Sequence, residues 1–168
     1  MRIIKKAGGI HHLPLLVLVL LALGCTSAKY VNIFPVAPGV FQYFLPPTRW
    51  EAKTLDVEVD ITYRNMPGSP AACNISLVKS GSMPRTVSSA FFTASGAEYP
   101  LENITKLFAE LKDNKLRITT QLPGEKFLKL LEEPALLLVV ILDGTQYDCT
   151  PPEVFLEYCR QVRDDINS

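Results

Sequence analysis

The sequence predicts an α+β fold, mainly β: an antiparallel sheet or sandwich of about seven strands with two or three short helices, the last at the C-terminus. Three stretches carry that expectation. Between Lys53 and Arg64, the residues Leu55, Val57, Val59, Ile61 and Tyr63 alternate with Asp56, Glu58, Asp60, Thr62 and Arg64. This period of two belongs to a strand with one buried and one wet face. Ala135–Leu142 is a continuous apolar run, as in a strand covered on both faces and central in its sheet. Thr150-Pro151-Pro152-Glu153 reads as a capping box with Pro at the first helical position, and Val154, Phe155, Tyr158, Cys159 and Val162 follow on one helical face.

The other elements follow in chain order. Residues 29–50 mix Tyr30, Phe34, Phe41, Tyr43, Phe44 and Trp50 with four prolines, too apolar for a flexible tether. We expect an irregular segment packed on the core, with a short strand near Val40–Phe44. The alternative is an aromatic belt at lipid headgroups or a docking patch. The carboxylate row Asp56, Glu58 and Asp60 is expected to be a solvated face. Met66-Pro67-Gly68-Ser69-Pro70 supplies turn chemistry. Cys73–Lys79 and Thr86–Thr93 read as strands, and Ser95-Gly96 turns the latter into Glu98–Leu101. From Asn103, a plausible N-cap, Ile104, Leu107, Phe108 and Leu111 fall at i, i+3, i+4 and i+7. That spacing predicts a short helix, against a hairpin turning at Asp113-Asn114. Leu116–Gln121 is Thr-rich and reads as a strand. Phe127, Leu128, Leu130 and Leu131 predict a second short helix between Pro123-Gly124 and Pro134, and Asp143-Gly144 a hairpin returning as Thr145–Cys149.

The first residues say most about destination. Arg2, Lys5 and Lys6 precede an apolar stretch, Leu13–Leu23, and no acidic residue occurs before Glu51. About a dozen apolar residues fall short of the roughly 20 needed to span a bilayer, and the pattern is that of a secretory signal peptide. Ala22-Leu23-Gly24-Cys25 resembles the lipobox of bacterial lipoproteins, with Gly24 at the cleavage position; it departs at −3, where Ala22 stands in place of the usual Leu. The resemblance implies cleavage after Gly24, acylation of Cys25, and attachment to a membrane through the N-terminal lipid. Thr26 in place of Asp implies the outer membrane in a Gram-negative host. Cleavage after Ala28 is the competing expectation and would release a soluble domain. The organisation expected is a signal peptide at 1–24, an anchor and Pro/aromatic segment at 25–50, and a β-rich domain at 51–168.

Composition narrows the chemistry. With residues 1–24 removed, the 168-residue chain retains 144, and Lys plus Arg falls from 17 to 14 against 17 acidic residues, a net charge of about −3. No basic cluster is present, so nucleic acid is not an expected partner. Both histidines, His11 and His12, lie in the leader. The mature chain therefore has no Ser-His-Asp or Cys-His machinery and no imidazole for zinc. We expect no enzyme, no cofactor and no metal site.

Three cysteines follow Cys25: Cys73, Cys149 and Cys159. An exported domain permits disulfides, and the expectation is that Cys73 is bridged to one of the others or that none pairs, the bridge being favoured. Cys149–Cys159 is disfavoured, because ten helical residues separate their Cα atoms by about 15 Å and a disulfide tolerates about 7 Å. Asp143-Gly144-Thr145-Gln146-Tyr147-Asp148-Cys149 resembles the D-x-A-x-Y-x-C stretch of immunoglobulin domains. No Trp follows Cys73 and a helix follows Cys149, so no immunoglobulin function is carried over. The expectation is a non-enzymatic lipoprotein that binds or scaffolds an envelope protein; the alternative is a carrier of a small apolar ligand or lipid, lined by Leu136–Ile141 and the aromatic N-terminal segment.

Overall fold

The computed structural model describes residues 30–168. Cys25 and Gly24 lie outside that range. The elements are β1 (Asn32–Ala37), β2 (Val40–Trp50), β3 (Leu55–Arg64), β4 (Ala71–Lys79), β5 (Val87–Ala94), β6 (Ala97–Pro100), β7 (Glu102–Glu110), β8 (Lys115–Leu122), α1 (Gly124–Leu131), β9 (Leu137–Leu142), β10 (Thr145–Cys149) and α2 (Glu153–Ile166). The fold is α+β and mainly β. One antiparallel sheet runs β1-β2-β3-β4-β8-β7, the other β10-β9-β5-β6.

The alternating strand is β3, held between β2 and β4, with Leu55, Val57, Val59, Ile61 and Tyr63 inward. The apolar run forms β9, interior to its sheet between β10 and β5. Two hairpins close on residues of matching conformation. Ser95 and Gly96 both have positive φ, as do Asp143 and Gly144, the requirement of a two-residue turn that follows the strands' twist. Both sheets and both helices feed one core.

Several expectations are corrected. The 103–111 stretch is strand β7, not a helix, and Asn103 is no N-cap: it sits at φ 55° and donates its Nδ2–H to Gln121 Oε1. The register against β8 shifts between Glu102 and Thr105 and again between Lys106 and Phe108. Each extra residue moves the next side chain to the other face, so a bulged strand produced the spacing of a helical stripe. The strand expected near Val40–Phe44 is present within the longer β2, but the rest of the segment before residue 51 is not irregular. β1 and β2 form a hairpin in the main sheet and bury Tyr43, Leu45 and Trp50, so the boundary at residue 51 falls within the packed structure. Pro46-Pro47 accounts for the register shift between Leu45 and Thr48, since neither has an N–H to offer the ladder.

The capping box is not formed. α2 begins at Glu153 with Pro152 as N-cap and no side-chain cap. Thr150 instead exchanges both backbone hydrogen bonds with Glu51, at 2.8 and 2.9 Å. A residue before proline is driven to extended conformations, and here that condition holds at both Thr150 and Pro151. The stretch resembling immunoglobulin domains forms β10, an edge strand, and its Cys149 is unpaired.

The corner between β8 and α1 has no room. A Cβ on Gly124 would stand 2.3 Å from the Ser69 carbonyl oxygen of the β3–β4 loop. Gly124→Ala is therefore expected to destabilise the fold by about 1–3 kcal/mol, the range for forced overpacking, read as a lower urea midpoint at unchanged slope.

Candidate interaction surface

A concavity of about 680 Å³ lies beside the Glu51–Thr150 pairing that joins the ends of β2 and β10 and is lined by Arg49, Glu51, Lys53, Asp56 and Asp148 among others. Arg49 and Asp56 are ion-paired across it. Charges of both signs share an open, hydrated surface there, and such pairs contribute little. Among the described residues no group of three or more His, Cys, Asp or Glu is arranged to hold a metal ion. Leu138, Val140 and Leu142, in and just beyond the run expected to line a ligand cavity, are fully buried core.

The row of carboxylates on β3 departs from expectation at one position. Asp60 is buried on the nominally wet face, only 3% exposed. It accepts from Asn74 Nδ2 at 2.7 Å and from Arg117 Nη2 at 2.5 Å, while Arg117 Nη1 donates to Ser76 Oγ at 2.7 Å. The network crosses β3, β4 and β8, and its members complete one another's hydrogen bonds.

Cys73, Cys149 and Cys159 are buried free thiols, so the expected bridge is not formed. Cys73 points inward from β4, Cys149 ends β10 and Cys159 lies on the buried face of α2. Burial pushes the Cys149 and Cys159 thiols up to about 12 and raises Cys73 as well, because a thiolate loses its hydration inside. The Tyr43 hydroxyl is likewise raised, first by burial and then by the Asp165 carboxylate, to which it donates at 2.7 Å.

What distinguishes the surface is the β1–β2 hairpin. Its inward residues are core, but Tyr30 is 65% exposed, Phe34 51%, Val36 50% and Phe41 38%. Asn65 fastens the β3–β4 loop to the hairpin: its backbone N–H donates to the Phe41 carbonyl at 3.2 Å and its Oδ1 accepts from the Phe41 N–H at 2.6 Å. The next residue, Met66, is also exposed. No charged residue occurs from Tyr30 to Thr48. Edge strands are ordinarily blunted by charge, as β7 is by Glu102, Lys106 and Glu110; β1 carries none. Hydrophobicity alone could not divide this segment into buried and exposed residues. The missing charge was the available signal.

In comparisons with known proteins, no family model, no curated protein and no solved structure matches the chain.

Arg117→Met alone is expected to cost about 3 kcal/mol, since it strands the Asp60 charge, whereas Asp60→Leu with Arg117→Met recovers most of the loss; urea midpoints of the single and double variants test this. In Cys25→Ser protein, all three thiols resist a thiol reagent near neutral pH when folded and react in denaturant. Above about pH 9 an unfolded chain releases thiol protons that the folded chain keeps, so stability falls as pH rises, by up to about 1.4 kcal/mol per pH unit for each such thiol. Denaturation midpoints rising with pH across that window would refute the sign.

Proposed function

We propose that the chain is a membrane-anchored bacterial lipoprotein, held by acylated Cys25, whose β-rich domain is a non-enzymatic binding or scaffolding component of the cell envelope. The observation that carries this reading is positional. Cys25 closes a basic, then apolar leader and stands seven residues before the first strand of the fold, β1 at Asn32. Seven residues reach at most about 25 Å, so a lipid on Cys25 would keep the β1 edge close to the membrane. Several acyl chains hold a protein where a single one does not. The opposite edge, β7, is five strand spacings away, about 24 Å. A domain held at β1 leaves that edge free for an envelope protein. Residues of both sheets in one core support the sandwich form of the fold. Thr26 favours the outer membrane where the host is Gram-negative.

The intact N-terminal mass of protein from the host membrane fraction tests the proposal, beside a Cys25→Ser variant. A mature chain starting at lipidated Cys25, with the variant recovered in the soluble fraction, supports it. A mature chain starting at Lys29 without lipid refutes it and describes a secreted domain.

A further inference from the structure

We propose that the β1–β2 hairpin is a second membrane contact, seating Phe34, Val36 and Phe41, with Met66 beside them, in the headgroup region of the bilayer. The inference rests on the anchored reading above and adds an orientation to it. A tether alone limits distance and leaves the domain free to turn; an apolar edge selects one face.

Three observations point to lipid as the occupant. First, the exposed side chains belong to a stretch from Tyr30 to Thr48 with no charge, so their transfer into the interface carries no ionic group of that stretch with it, and the neighbouring Arg64 has Gln42 as a partner. The exposed apolar residues of the β7–β8 hairpin, Leu107, Phe108 and Leu111, stand instead among Lys106, Glu110, Lys112 and Asp113. Second, the patch is where the tether ends. Tyr30 is five residues from Cys25, at most about 18 Å of chain, and β1 continues the line from Tyr30 to the tip at Pro38-Gly39. With every side chain but Ile33 exposed, β1 fits a strand lying edge-on along the surface, with Phe34 and Phe41 on either side of the hairpin. Third, the edge is poorly made for an added strand. Pro35 has no N–H to donate, and the register slips between Pro35 and Ala37, which interrupts the ladder a partner strand would extend. What remains on offer is side chains. Phe34, Val36, Phe41 and Met66 gain by leaving water, and Tyr30, at the tether end of the hairpin and exposed, is of the amphipathic kind enriched at the interface.

Arg64, hydrogen-bonded to Gln42 opposite Phe34, borders the patch, so a bilayer of zwitterionic lipid tests the apolar contact apart from any attraction of that cation to anionic lipid. The experiment reconstitutes the lipidated mature protein into phosphatidylcholine vesicles whose acyl chains carry bromine near the headgroup end. Phe34→Trp and Phe41→Trp serve as separate probes and Leu107→Trp as the control at the far edge; the signal of buried Trp50 is subtracted using the parent protein. Residues seated about 5–10 Å into the interface lie within reach of the bromines, so each hairpin probe is expected to be quenched about twofold and the control left unchanged. The two probes guard against one failing to fold.

Lipidated protein with no quenching of either hairpin probe overturns the contact and leaves the anchor standing. Equal quenching of all three overturns it too, as a domain with no preferred face. A concentration-dependent dimer with unquenched probes reassigns the patch to a second copy of the chain. Absence of lipid on the N-terminal mass overturns the anchored reading and the contact together.

Discussion

Trp50 is the meeting point of the molecule. It ends β2 in the larger sheet, yet its ring lies 6.0 Å from that of Phe92 in the smaller sheet and 4.8 Å, edge-on, from that of Phe155 in α2. Its one polar atom is satisfied locally: Nε1–H donates to Thr48 Oγ1 at 3.1 Å, and the Thr48 hydroxyl donates onward to the Val59 carbonyl. A large ring with its N–H partnered can be wholly buried without penalty. One residue later the main chain completes the junction, where Glu51 pairs with Thr150 and ties the end of β2 to the end of β10. Both sheets and the last helix are thus referred to a few residues around position 50. A second run of rings, Tyr43 to Tyr63 to Phe127, does the same for α1.

Much of this was legible in the sequence, for reasons that differ by element. β3 was readable because its two faces meet different solvents, so the period of two is written in full. β9 was readable because its unbroken apolar run marks an interior strand, although on its second face Leu137 is exposed and Ile141 half-buried. The turns at Ser95-Gly96 and Asp143-Gly144 were readable because a left-handed conformation restricts the residues that tolerate it. β7 was misread because bulges disguise a strand's period. The start of α2 was displaced because two prolines acted on the residues before them while Thr150 was engaged by a strand distant in sequence. Local pattern fails where a non-local pairing decides.

The functional surface was harder to read than the fold. The hairpin's aromatic residues are of one chemical kind, and only the sheet divides them: Tyr43 and Trp50 are buried, Phe34 lies on the opposite face, and Phe41, on the face of Tyr43, stands exposed nearer the tip of the hairpin. Asp60 gave the reverse error. It stood in a row of carboxylates that looked solvated, and its burial depends on Arg117, fifty-seven positions away. The cysteines were expected to pair because an exported chain allows it. The fold instead uses them as small apolar residues, a role common for free Cys.

The strands next to the N-terminus are secured by the last residues of the chain. The Val31 N–H donates to Gln161 Oε1 and the Tyr43 hydroxyl to Asp165, spanning 130 and 122 positions. Contacts that close such long loops are the slow ones in folding, because chain entropy is lost before they form. The hairpin that leads the chain can therefore be among the first segments made and still among the last to be fixed. Until α2 exists, the β1–β2 edge lacks the Gln161 and Asp165 contacts and pairs with β3 alone, with its uncharged aromatic side chains already exposed. A chain emerging N-terminus first would carry that exposed face through the whole of its synthesis, a period in which a waiting membrane or a chaperone would be a safer neighbour than another copy of itself.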